Sequence, residues 1–254
     1  MKFVRYSHNF RTGWAVLDGE TVRPLEKAPW LGLSSHQEVL SLHDVRLLTP
    51  VAPSKIVAVG SNYRDHAAEL GHAVSDEPVL FFKPITALND PEGTIICPKL
   101  SKQVDYEAEL AFVVGRTARY VNAKEADSYI FGYTCFNDVT ARDIQSKDMQ
   151  WARSKGFDGF APTGPWLVTD IDTSDLSITT RVDGQIRQSG RTSQMIWDIP
   201  ALFAFITSCM TLMPGDLVTT GTPSGVGALH PGETVEIDIE KIGILRNYVV
   251  EENR

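Results

Sequence analysis

The chain predicts a mainly β fold of the α+β kind. Short apolar or alternating runs, bounded by Gly, Pro, Asn and Asp, recur through most of its 254 residues. Helical candidates are few, and no strand–helix–strand rhythm appears, which argues against a doubly wound parallel sheet.

Taken in order, Lys2–Tyr6, Gly13–Leu17 and Thr21–Leu25 read as strands, with Asp18-Gly19 as a hairpin turn. Residues 36–43 read as one helix. Two prolines in Leu48-Thr49-Pro50-Val51-Ala52-Pro53 interrupt any regular element and mark a boundary. Residues 1–49 thus form a small N-terminal module, too short for an independent core, and residues 50–254 the main domain. There Ile56–Gly60 and Val79–Phe82 are apolar strands, and Arg181–Arg187 is a hairpin around Asp183-Gly184. Val235, Ile237 and Ile239 alternate with Glu236, Asp238 and Glu240, the pattern of a half-buried strand. The predicted helices are Tyr63–Leu70 capped by Gly71, Ala123–Phe131 ended by Gly132, and Ile199–Cys209.

A hydrophobic content of 43% and a charged content of 22% describe an ordinary globular chain. The formal net charge of −8 argues against nucleic-acid or anionic-membrane partners, which want a basic surface. Three cysteines cannot all pair internally and lack metal-site spacing, so a reducing cytoplasm is expected. The N-terminus has no apolar signal core, and the apolar stretch Pro200–Met213 is too short to span a bilayer.

The chemistry concentrates in Asp105-Tyr106-Glu107-Ala108-Glu109-Leu110-Ala111-Phe112-Val113-Val114, the longest strand-like run. On a strand Glu107 and Glu109 project from one face, their Cα atoms roughly 6–7 Å apart. Tyr106, Leu110, Phe112 and Val114 occupy the other face and read as core. Two carboxylates at the mouth of a buried strand repel each other unless a cation lies between them. A second apolar segment, Tyr133–Val139, offers a third, Asp138. Three oxygen ligands without a matching His or Cys cluster point to a hard ion, Mg²⁺ or Mn²⁺. The alternative is the solvated face of an amphipathic sheet.

His66 and Glu69 stand three apart on the first predicted helix of the main domain, where the carboxylate can orient the imidazole as a general base. An exposed histidine with a passing acidic neighbour fits the same spacing. Lys155 is an isolated cation in an aromatic-rich loop, by default at the surface. Gly221-Thr222-Pro223-Ser224-Gly225-Val226-Gly227 is either a tight turn or a loop presenting backbone N–H groups to an anion. It lacks the Gly-Lys-Ser/Thr ending of a nucleotide-binding P-loop. No His-Glu-x-x-His or Gly-x-Ser-x-Gly occurs, which speaks against a zinc hydrolase and an α/β-hydrolase.

In their order, these pieces resemble the fumarylacetoacetate hydrolase family. The matching segments are Val59–His66, Phe82-Lys83-Pro84, Asp105–Glu109, Gly132-Tyr133, Asn137–Asp143, Lys155-Gly156-Phe157 and Thr220–Gly227, within residues 55 to about 250. The resemblance implies a mixed β-sandwich roll, usually a homodimer, holding one Mg²⁺ or Mn²⁺. It implies Glu107, Glu109 and Asp138 as metal ligands, His66 and Glu69 as a catalytic pair on a short lid helix, and Lys155 beside the metal. Arg142, Gln145 and Thr222 match positions near the substrate. Residues 1–49 fall outside the catalytic domain.

The expected reaction is metal-dependent C–C bond cleavage of a 2,4-dioxo or related 2-oxo acid through a metal-stabilised enolate, as in an acylpyruvate hydrolase, with oxaloacetate decarboxylation as a related activity. The same site can serve an isomerase or decarboxylase of the 2-hydroxyhepta-2,4-diene-1,7-dioate type in aromatic catabolism. A non-catalytic metal- or ligand-binding β module is the alternative of another class. His66, Glu69 and Lys155 argue against it, because a binder needs no base.

Overall fold

The computed structural model describes residues 1–34, 38–69, 71 and 74–253. Among these residues the strands assemble into three sheets. The largest has 12 strands. Its centre is Ala108–Val114, paired antiparallel with Ile130–Asn137 on one side and with Leu217–Thr219 on the other. Beyond Leu217–Thr219 lie Ile56–Gly60, in parallel, and then Val79–Lys83. Beyond Ile130–Asn137 come Ala161–Val168 and the N-terminal strands Lys2–His8, Arg11–Asp18 and Thr21–Leu25. Residues 1–49 therefore extend the sheet that carries Glu109, while their own apolar cluster is small (Val4, Ala15, Leu17 and Val22).

A five-stranded sheet runs in the order Gln185–Arg191, Ser177–Val182, Thr234–Ile239, Gly243–Glu251, Thr94–Cys97. Its inward residues Ile178, Val182, Val235, Ile237 and Ile239 join Leu110, Phe112, Val114 and Cys135 of the large sheet in one core. Ala111 and Val113 point the other way, into a second core with Phe3, Val51, Ile56 and Leu167. The central strand is thus buried on both faces, as its apolar run requires. The architecture is the expected mixed sandwich. Among the described residues no helix is long and apolar enough to cross a membrane.

Four short α-helices complete the described chain: α1 Arg64–Glu69, α2 Arg142–Gln145, α3 Ala152–Lys155 and α4 Ile199–Cys209. Helix α4 has its predicted bounds. Asp198 caps it by accepting the Ala201 N–H at 2.9 Å, and Phe203 and Ile206 bury its inner face. Helix α1 covers most of its predicted span. The predicted Leu70 lies outside the described residues, and Gly71 takes the left-handed φ of +69° of a helix-ending glycine.

Two helix expectations fail. Ala123–Tyr129 is 3₁₀, and the following Ile130-Phe131-Gly132 belongs to a strand, because their backbone pairs with Val113 and Val114. The helix expected over 36–43 is not one. Leu40–Ser41 pairs with Thr21–Leu25 and Leu42–Asp44 is 3₁₀, while residues 36–37 lie outside the described residues. At Ile130–Gly132 and at Leu40–Ser41 sheet pairing overrides local helical preference.

Candidate metal centre and active site

The predicted single strand Asp105–Val114 breaks at Glu107. Val104–Tyr106 pairs within a three-stranded sheet, and Ala108–Val114 starts the central strand of the large one. At the break, the Asn137 side chain accepts the Glu107 N–H at 2.9 Å, and the Asp138 N–H donates to the Glu107 carbonyl at 2.9 Å. These two bonds tie the first and third predicted ligands together through their backbones.

Glu107, Glu109 and Asp138 are all buried, with ligand oxygens within 4.8 Å of one another. Oxygens on opposite sides of a Mg²⁺ ion lie about 4.2 Å apart, given bonds near 2.1 Å. Side-chain adjustment covers the difference, and an all-oxygen set suits a hard divalent cation. The residues therefore fit such an ion.

Cations surround two of the three acids. Lys155 Nζ bridges Glu107 Oε2 (2.8 Å) and Asp138 Oδ2 (2.7 Å). Lys83 Nζ donates to Asp138 Oδ1 at 2.5 Å and to the Val139 carbonyl at 3.2 Å. Arg142 donates to Glu107 Oε1 (2.5 Å), Asp105 Oδ2 (2.8 Å) and Gln145 Oε1 (2.6 Å). Among the described residues Glu109 forms no ion pair; it accepts the Gly221 N–H at 2.9 Å. Its protonation follows from that difference. Burial, then Asp138 and Glu107, raise the Glu109 carboxyl well above the usual carboxylate range in the metal-free protein. Burial also opposes ionisation of Glu107, but Lys155 and Arg142 outweigh it and hold that carboxyl below the usual range. For Lys155, burial favours the neutral amine, while Asp138 and Glu107 reverse the balance and keep it charged. For Lys83 burial wins, and its pKa is lowered.

His66 lies in the same cleft, 4% exposed. Its Nδ1 meets Glu69 Oε2 at 3.2 Å, and the Gly225 N–H holds Glu69 Oε1 at 3.0 Å. With Nδ1 directed to the carboxylate as donor, Nε2 is left as the basic nitrogen. The cleft is narrow, with a volume of about 20 Å³, room for about one water. Phe81 and Trp151 form an apolar wall, their rings 5.2 Å apart.

The structure brings all nine predicted site residues together. Eight line the cleft, and Glu69 reaches it through His66. Three features of the site go beyond the sequence reading. Lys155 is not in a surface loop but ends helix α3, 2% exposed, because its ammonium is drawn in by two carboxylates. Arg142 holds protein partners on all three guanidinium nitrogens. The N–H groups of Gly221 and Gly225 serve the protein's own carboxylates, Glu109 and Glu69. Lys83 and Asp105 carry charge at the site without having been assigned roles. The Phe82-Lys83-Pro84 motif marks the first, but a lysine ending a strand reads as exposed until the fold closes over it.

Residues 55–250 match the family model described as fumarylacetoacetate (FAA) hydrolase, C-terminal. The chain belongs to this family. Residues 1–50 match a second model, Rv2993c-like, N-terminal. An uncharacterized protein of Archaeoglobus fulgidus is 54% identical over 210 residues, covering 83% of this chain and 84% of that protein. The mitochondrial oxaloacetate tautomerase FAHD2A of Bos taurus is 40% identical over 231 residues, 86% of this chain and 74% of the relative. The crystal structure of 2-hydroxyhepta-2,4-diene-1,7-dioate isomerase from Mycobacterium marinum superposes with a TM-score of 0.93 at 42% identity, over 100% of both chains. Family membership accounts for the order of motifs and for the acidic triad.

Proposed function

We propose that the chain is a divalent-metal-dependent enzyme of 2-oxo acids. Its core step moves the proton on the carbon beside the keto group, as in a tautomerase or isomerase of a small 2-oxo dicarboxylic acid. The observation that carries this reading is the His66–Glu69 pair, which shares one cleft with Glu107, Glu109 and Asp138. A divalent ion held by those three carboxylates, Mg²⁺ or Mn²⁺, would supply Lewis-acid polarisation of the 2-oxo group.

The chain's own residues do the rest. His66 Nε2 takes or returns the proton at the reacting carbon, and Glu69 stabilises the imidazolium that forms. Gly225 fixes Glu69, so the pair is set before substrate arrives. Asp105, Glu107, Glu109 and Asp138 face Lys83, Lys155 and Arg142, which leaves one excess negative charge when all are ionised. Loading a divalent cation makes the site positive by one, which favours an anionic substrate. The names of the bovine tautomerase and the mycobacterial isomerase add weight to proton transfer.

C–C cleavage of an acylpyruvate is the second reading, and one observation favours it. The Glu69 side chain is 33% exposed, so the pair borders solvent and a water can reach His66. A panel with Mg²⁺ or Mn²⁺, and EDTA as control, separates the two. Loss of the ultraviolet absorbance of enol-oxaloacetate, or shift of a diene dioate, without pyruvate release is the expected result. Pyruvate release from acylpyruvates establishes cleavage instead. The absence of any metal-dependent turnover across the panel refutes both.

A further inference from the structure

We propose that Gln188 is a positioning residue that fixes Thr222 as a hydrogen-bond donor to an oxyanion of the bound substrate. This rests on the reading above that the cleft takes a 2-oxo acid. Gln188 sits on the strand Gln185–Arg191, 1% exposed, and makes four hydrogen bonds. Its Oε1 accepts from the Ala108 N–H at 3.0 Å and from Thr180 Oγ1 at 2.7 Å. Its Nε2 donates to Thr222 Oγ1 at 2.9 Å and to the Pro223 carbonyl at 2.8 Å.

The partners force the orientation of the amide. A backbone N–H only donates, so the atom facing Ala108 is the oxygen. A carbonyl only accepts, so the atom facing Pro223 is the nitrogen. Thr222 Oγ1 therefore accepts a hydrogen bond from the Gln188 N–H, and its own hydroxyl proton must point elsewhere. The protein acceptor within reach is the Pro223 carbonyl at 3.4 Å, a long contact to an oxygen that Gln188 already occupies. Thr222 is 2% exposed and lines the cleft beside Glu107, Glu109 and Asp138. A substrate oxyanion there is the better acceptor, because hydrogen bonds to charged groups are the stronger ones.

The seat of this contact is rigid on both sides. A Cβ at Gly190 would lie 2.5 Å from Pro223 Cβ, and one at Gly225 2.6 Å from the Arg187 carbonyl. The loop therefore presses on the strand before and after Gln188. At its other end the amide grips Ala108, between the two metal-ligand glutamates. One side chain thus sets the spacing between the carboxylate strand and the loop that meets the substrate.

The test is calorimetry of oxalate binding to the Mg²⁺-loaded protein, alongside Mg²⁺ binding itself. Thr222→Val should weaken oxalate binding by about 10- to 100-fold and leave Mg²⁺ affinity in place, whereas Thr222→Ser should keep most of it. Gln188→Glu should match Thr222→Val, because the new carboxylate oxygen draws the threonine proton away from the cleft. Combining Gln188→Glu with Thr222→Val should add little, as expected of one shared interaction. Gln188→Met, similar in length and apolar, replaces Gln188→Glu if the buried charge prevents folding. Wild-type oxalate affinity in Thr222→Val, or in a folded Gln188 variant, overturns the proposal. Absence of oxalate binding by the wild type overturns it together with the 2-oxo acid reading. Oxalate binding without turnover of any 2-oxo acid refutes only the proposed reaction.

Discussion

Glu107 and Glu109 stand one residue apart, yet their neutral variants should behave differently in the metal-free protein. Glu107 Oε2 meets Lys155 at 2.8 Å and its Oε1 meets Arg142 at 2.5 Å. Glu107→Gln removes the charge that both cations face. Breaking a buried pair costs about 3–5 kcal/mol, and the lower end applies because Lys155 keeps Asp138 and Arg142 keeps Asp105. At about 2–4 °C per kcal/mol for a chain of this size, roughly 3 kcal/mol lowers Tm by about 6–12 °C. Glu109→Gln replaces a carboxyl that burial and two acidic neighbours already tend to keep protonated. The amide oxygen still accepts the Gly221 N–H, so the cost should stay below about 1 kcal/mol. Both variants should lose the upward Tm shift expected of Mg²⁺ binding to the wild type, about 2.7 kcal/mol at 100 times Kd. Thermal unfolding in EDTA and in saturating Mg²⁺ measures all of this. If Glu109→Gln in EDTA falls as far as Glu107→Gln, the charge assignment is wrong; if it keeps the Mg²⁺ shift, Glu109 is not a ligand.

The raised Glu109 pKa has a pH signature. Between its unfolded and folded values the folded, metal-free chain binds more protons than the unfolded one, so its stability falls as pH rises through that window. Mg²⁺ affinity should rise over the same window as the ion expels the proton, and calorimetry in buffers of different ionisation enthalpy should show that release. His66→Ala should cut turnover by about 10²–10⁴-fold with Mg²⁺ affinity unchanged; full activity would remove His66 as the base. Lys83→Met leaves Asp138 Oδ1 without its buried partner and should lower metal-free stability by about 3 kcal/mol. An unchanged denaturation midpoint would mean that the apolar replacement offsets the lost pair.

Local pattern was sufficient wherever one strand or one helical turn set the outcome. The period of two in Tyr106 to Val114 assigned Leu110, Phe112 and Val114 to one core and placed Ala111 and Val113 on the opposite face, as found. The spacing of three between His66 and Glu69 placed both on one turn, where they meet at 3.2 Å. Ile199–Cys209 was legible as a helix with the bounds that the structure shows.

What the sequence could not settle was which charged side chains the fold would bury, because that depends on partners far along the chain. Lys83 is closed in by Asp138, 55 residues on, and Lys155 by Glu107, 48 residues back. Gln188 finds Ala108 across 80 residues. The break at Glu107 has the same origin, since its N–H is taken by the Asn137 side chain, which local periodicity does not encode. A strand's own residues determine which face a side chain takes. Whether that face meets water, a lysine or another carboxylate is decided only when the sheets and loops close around it, and there desolvation turns each unpaired charge into a cost that the tertiary structure must balance.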